Sequence, residues 1–261
     1  MMFPTLDLAL AVLVAVVLVA GVARGLAGFG SGMIVAPVAG AVYGPTAALV
    51  IMLILDSLPA LPITIPAIRI ARWNEVFPAF VGLFLLYPLG VFILVHGDVK
   101  TLRWIIALTI FASVAVLAFN YRYRGPRNLA TSFGAGSVAG VLSGIAAIPG
   151  PPVIAYWMAS DYTAAIVRAN LMSFFALEAL ISAVVLWTAG LLQWPLVIVG
   201  LISAPFYFVG LTIGGKLFHH ASENTYRLVT FGLILLSAFL ALPLFDGLFA
   251  GLAAFVKADA E

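Results

Sequence analysis

Polar residues are so sparse along this chain that its pattern is read from its interruptions. From Gly25 to Leu55, 31 consecutive residues carry no charge. A membrane span takes about 20 residues at a rise of about 1.5 Å each, so this run is too long for a single crossing. Its helix breakers lie inside it: Gly25, Gly28, Gly30 and Gly32 crowd around Ser31, and Pro37 follows. Glycine weakens a helix and proline removes a backbone donor, so the pattern predicts unwinding there. In hydrocarbon an unwound backbone survives only where protein or a water-filled cavity shields it. The break is then either a packing device or a ligand site.

Apolar length places spans at 8–26, 46–65, 77–95 and 104–119, with a short apolar piece at 33–42 beyond the break. Pro66 closes the second of these, and Pro88 interrupts the third. The plan then recurs at 129–148, 164–187, 195–217 and 228–245, with a short piece at 153–159 and a proline, Pro205, again inside the third span. Laying Gly25 on Gly144, an offset of 119 residues, places the interruption at Gly28–Gly32 over Ala147–Pro151. Gly/Pro interruptions at corresponding places in two halves are the strongest sequence pointer to a transporter's midplane site. The expected fold is an all-α polytopic membrane protein of eight transmembrane helices. They form two related four-helix halves, 1–124 and 125–261, with broken helices at the centre. Seven or nine spans result if the short pieces are counted differently. Four full spans per half make parallel repeats, whereas a non-crossing piece inverts them.

Composition fixes the class. The chain is 64% hydrophobic and 8% charged, with a mean hydropathy of +1.21, against about 25% charged residues in soluble domains. The net charge of +2 is scattered, with no basic patch long enough to follow a phosphate backbone, so nucleic acid is not a partner. There are no cysteines, which excludes disulfides and thiolate chemistry. His96, His219 and His220 are the only histidines. The last two sit beside Lys216 and Glu223 in what reads as a solvated turn, and no metal site or cofactor is expected. Met1 to Asp7 lacks a basic region, so 8–26 reads as the first span rather than a cleaved leader. Lys and Arg in short loops set orientation. Arg69, Arg72, Arg122, Arg124, Arg127 and Lys257 fall on one side, and Lys100, Arg103, Lys216 and Arg227 on the other. The cluster at Arg122–Arg127 places that side and both termini in the cytoplasm, in a cell inner membrane.

Gly28-Phe29-Gly30-Ser31-Gly32 followed by Pro37 resembles the GxGGG-to-Pro signature of the TauE/SafE (sulfite exporter, TSUP) transporters. Gly144-Ile-Ala-Ala-Ile-Pro-Gly-Pro-Pro-Val-Ile-Ala-Tyr156 resembles the variant in which Gly-Pro-Pro precedes an apolar run, and Arg168 stands where that family often has an arginine. Ser31 replaces the middle glycine of the first motif, and Ala147 and Pro149 replace glycines of the second. The resemblance implies a secondary transporter of small organosulfur or carboxylate anions, such as sulfite, taurine or sulfoacetate.

An anion entering a membrane must exchange its hydration for fixed donors, and unwound glycine backbones and helix N-termini supply them. Gly28, Phe29, Gly30, Ser31 and Gly32 in one half and Gly150 in the other are the candidate binding segment, Ser31 adding a hydroxyl. Pro149, Pro151 and Pro152 have no amide, so the second half contributes shape. The alternative is that the small residues only let helices approach closely. Arg24 and Arg168 are the cations nearest the breaks; either neutralises a bound anion, snorkels to headgroups, or, for Arg168, pairs with Asp161. Glu178 and Asp56 lie within spans and are candidate proton carriers, since burial favours a neutral carboxyl. The other reading is an ion pair or a cap, with Asp56-Ser-Leu-Pro as a local helix break. Tyr156 lines a cavity beyond the second break, or else sits at the interface with Trp157. Neither a nucleophile–base pair nor a metal cluster suggests an enzyme. The competing reading is a passive anion channel. The partners are a small anion and membrane lipid, and the oligomeric state is left open, a homodimer included.

Overall fold

In the computed structural model the described residues are 8–98 and 125–220, with isolated positions beyond them. They are helical, with no strand among them: α1 (Leu8–Ala27), α2 (Ser31–Tyr43), α3 (Pro45–Asp56), α4 (Leu61–Ile68), α5 (Trp73–His96), α6 (Leu129–Ala146), α7 (Gly150–Met158), α8 (Ala164–Thr188) and α9 (Trp194–His220). Six segments are long and apolar enough to cross a membrane: α1, α3 with α4, α5, α6, α8 and α9 to Phe218. The expected spans at 104–119 and 228–245 lie outside the described residues, as do Lys100, Arg103, Arg122, Arg124, Glu223, Arg227 and Lys257.

Four expectations are corrected in detail. The first break is confined to Gly28–Gly30, because α1 runs on through Gly25 to Ala27. Pro37, expected among the helix breakers, does not unwind the chain, since one lost hydrogen bond leaves α2 intact to Tyr43. Pro66 likewise lies inside α4. His219 and His220 continue α9 rather than forming a turn. The second crossing is interrupted at Ser57, in the Asp56-Ser-Leu-Pro stretch that reads as a local helix break, where α3 gives way to a single 3-10 turn, Leu58–Ala60, before α4.

Two helix pairs carry the most extensive packing, α5 with α6 and α1 with α9. Both are built on glycine. A Cβ at Gly136, Gly140 or Gly144 would strike Ala79, Leu83 or Tyr87, in that order, so α5 and α6 run parallel. Gly21 abuts Gly210 and Gly25 abuts Gly214, which makes α1 and α9 parallel too. Such stripes let backbones touch where the surrounding lipid offers no hydrophobic gain from association.

The direction of each helix follows. The Arg72 amide, at the start of α5, donates to Asn170 Oδ1 near the start of α8 at 2.7 Å. Hence α5, α6 and α8 leave one face together. The chain returns through α9 and α3–α4, and α1, parallel to α9, runs the same way. α7 does not cross: Tyr156 Oη lies 2.9 Å from Ser132 Oγ, near the beginning of α6, so α7 folds back along the helix that precedes it.

Candidate functional site

Both breaks open on one internal cavity. Gly28 and Gly30 adopt positive φ values of 84° and 101°, a backbone that only glycine takes without strain. They turn the chain so that α2 begins at Ser31. On the other side Ala147 is left-handed at φ 58°, the one non-glycine with positive φ among the described residues. It ends α6, and α7 begins three residues on at Gly150, with Pro151 tolerated in the first turn. The two turns touch, because a Cβ on Gly32 would collide with the Ala147 carbonyl. The first turn of each short helix therefore lines the cavity, which offers about 30 Å³ to the centre of a water molecule. Amides in a first turn have no carbonyl inside the helix to bond. In α2 they start at Ser31; in α7 only Gly150 contributes, since Pro151 and Pro152 have none.

The remaining walls carry the charge. Arg24, one turn before the end of α1, is 3% exposed. Its Nη1 lies 3.1 Å from Asp56 Oδ2 and donates to Ser31 Oγ at 3.3 Å. The guanidinium carbon stands 4.8 Å over the Phe175 ring, and Nε is buried without a partner. Asp56, at the last position of α3, also accepts from Tyr207 Oη at 2.8 Å. Opposite, Glu178 of α8 accepts from Ser143 Oγ of α6. Tyr87 and Ser182 complete the lining with a hydroxyl pair at 2.7 Å. Tyr87, Glu178 and Tyr207 all fall near the middle of their helices, so the cavity sits at mid-membrane depth.

Of the residues singled out from sequence, Arg24, Gly30, Ser31, Gly32, Gly150, Asp56 and Glu178 line this cavity. Four do not. Gly28 turns its Cα toward Arg168, where a Cβ would strike that side chain. Phe29 is buried in the core at 2% exposure. Arg168 donates through Nε and Nη2 to the Gly25 carbonyl, at 3.2 and 2.6 Å, and so holds the end of α1. Tyr156 lies at the far end of α7.

Tyr156 belongs to a second polar cluster. There Glu75 accepts Arg127 through both oxygens, Nε at 3.1 Å and Nη2 at 2.9 Å, together with Trp157 Nε1 at 3.0 Å and Tyr162 Oη at 3.1 Å. Arg127 also donates to the Tyr156 carbonyl at 2.9 Å and lies 4.3 Å over its ring. Burial and then the Glu75 charge push the Tyr162 phenol upward, so it remains a donor. Burial works against the Arg127 cation, and Glu75 more than offsets it. This cluster ties the starts of α5 and α6 to the end of α7.

Tyr87, Tyr207, Ser143 and Ser182 were not singled out from sequence. One signal pointed to the third of them, since Ser143 stands 119 residues after Arg24, the offset of the two motifs. Among the described residues no group of three or more His, Asp or Glu could hold a metal ion.

The family model described as Sulfite exporter TauE/SafE matches residues 13–241. No curated protein and no solved structure matches the chain.

Proposed function

This chain belongs to the TauE/SafE sulfite exporter family and is a multi-pass membrane protein of transporter type, and we propose that it carries a small organosulfur anion by proton-coupled alternating access. The observation that carries this reading is the pairing of two helix N-termini around a buried arginine. Unbonded amides and the positive end of the helix dipole favour an anion, and Arg24 Nε is a buried donor left unpartnered. Sulfite, or the sulfonate head of taurine, presents oxygens to such donors. The cavity holds only about two waters, so a substrate enters when the surrounding helices part.

The halves 1–124 and 125–261 are read as inverted repeats. α1 and α6 carry the two breaks and run in opposite directions, as do α3–α4 against α8 and α5 against α9. Rocking of one repeat against the other exposes a midplane site to each side in turn. Glu178 is the proton carrier in this scheme. The groups around the cavity with it are Arg24 on α1, Asp56 on α3, Tyr87 on α5 and Ser143 on α6. Arg24 and Asp56 cancel, so an ionised Glu178 would oppose an incoming anion at low dielectric. Its protonation removes that charge, and anion and proton then move together. The cytoplasmic face is assigned to the side of Arg69, Arg72 and Arg127; contrary to expectation Lys216, near the end of α9, falls on that side too, and α1 begins on the opposite one.

The test is flux in proteoliposomes containing the full chain. Radiolabelled sulfite or taurine should accumulate against its gradient when a pH difference is imposed, and the rate should saturate. Flux that is linear in concentration and indifferent to the pH difference would instead establish a channel.

A further inference from the structure

We infer that the site selects singly charged oxyanions and rejects dianions of the same size and shape, a conclusion that rests on the transport reading above. Among the described residues the formal charges lining the cavity are few: one cation, Arg24, and two carboxylates, Asp56 and Glu178. Arg24 is held at 3.1 Å from Asp56, so its charge is already matched. The other nearby arginine is turned away, with Arg168 donating to the Gly25 carbonyl at the end of α1. With Glu178 protonated, the remaining positive potential is that of the first turns of α2 and α7, at most about half an elementary charge each and less at α7, where Gly150 alone carries an amide.

That total suffices for no more than one negative charge. The donors fit the same count. Arg24 Nε is a single fully buried, unpartnered donor, and the Ser31 hydroxyl and first-turn amides serve the remaining oxygens. A second negative charge would find no further cation among the described lining residues and would face the Asp56 carboxylate 3.1 Å behind Arg24. An uncompensated charge at such depth costs several kcal/mol, even after relaxation. Within the organosulfur class the site thus takes a monovalent sulfonate head or hydrogen sulfite. Sulfoacetate is excluded while its carboxylate is ionised.

The experiment compares methanesulfonate with sulfate, two tetrahedral sulfur oxyanions that differ by one charge, and includes sulfite and taurine in the panel. Binding to the purified full chain is titrated by calorimetry at mildly acid pH. Methanesulfonate should bind at least about a hundredfold more tightly than sulfate. The Glu178→Gln protein, permanently neutral at that position, should keep this preference as the pH is raised. Sulfate binding as tightly as methanesulfonate, in either protein, overturns the charge selection and leaves the transport reading in place. If neither of these binds, nor sulfite nor taurine, the transport reading fails and the selectivity fails with it.

Discussion

Arg24 and Asp56 meet at 3.1 Å, each less than a tenth exposed, across two helices that approach mid-membrane from the same side. A buried pair of this kind contributes little net stability, yet losing one partner strands the other charge in a low-dielectric interior. Arg24→Gln or Asp56→Asn alone should destabilise the protein by about 3–5 kcal/mol. The double variant should recover most of that loss while remaining unable to bind an anion. Thermal unfolding in detergent, followed by anion titration of the double variant, checks both halves. Equal instability of the single and double variants would show that the pair is not coupled.

Ser31 separates binding from packing. Its hydroxyl accepts from Arg24 at 3.3 Å, and alanine fits the same space. Ser31→Ala should weaken anion affinity by about 1–3 kcal/mol, the range for leaving a charged partner one hydrogen bond short, with normal yield. The neighbouring glycines differ in kind. At Gly30 the nearest atom to an added Cβ is 3.9 Å away, so its φ of 101° is the obstacle; at Gly32 the obstacle is the Ala147 carbonyl. Gly30→Val and Gly32→Ala should both abolish binding. An unchanged affinity in monodisperse Ser31→Ala protein would take the first motif out of the site.

Glu178→Gln fixes the proton carrier in its neutral state. It should abolish accumulation driven by a pH difference while leaving exchange of labelled for unlabelled anion across the vesicle membrane. Loss of both activities to the same degree would make Glu178 a structural residue, as would no effect on either.

Ala147 stores a small strain. A left-handed alanine costs about 1–2 kcal/mol, of which the greater freedom of glycine in the unfolded chain takes back about 0.5–1. Ala147→Gly should therefore raise stability by up to about 1 kcal/mol. A lower unfolding temperature for this variant would show that the Ala147 methyl, buried at the junction of the two turns, contributes more by packing than its backbone costs.

What was legible in the chain was backbone chemistry. Gly28 and Ala147 lie 119 residues apart and both are left-handed, and the interruptions around them were visible because glycine and proline act on the backbone where they stand. Side-chain partnership was not legible in the same way. Nothing in the sequence joins Tyr207 to Asp56 across 151 positions, and a tyrosine inside an apolar run reads equally well as an interface aromatic. Arg168 stood beside the second motif as a plausible anion partner. The fold instead turns it onto the first motif's helix, 143 positions away. Proximity in sequence to a break says little about which side of the break a long side chain will reach.

The glycine stripes also order the protein's biogenesis. The α5–α6 pair closes over a sequence separation of 57, from Ala79 to Gly136, so its members can associate soon after insertion. The α1–α9 pair joins Gly21 to Gly210, a separation of 189. α1 must therefore wait in the bilayer, its glycine face against lipid, until the ribosome has delivered residues beyond Gly214. The loop-closure cost of that wait grows only slowly with length, but the unpaired interval is long, and any nascent chain released before α9 leaves the glycine face of α1 uncovered and Asp56 without the Tyr207 hydroxyl. Quality control in the membrane would meet these truncated chains as an uncovered glycine face, which makes completion of α9 the step that commits the molecule to its fold.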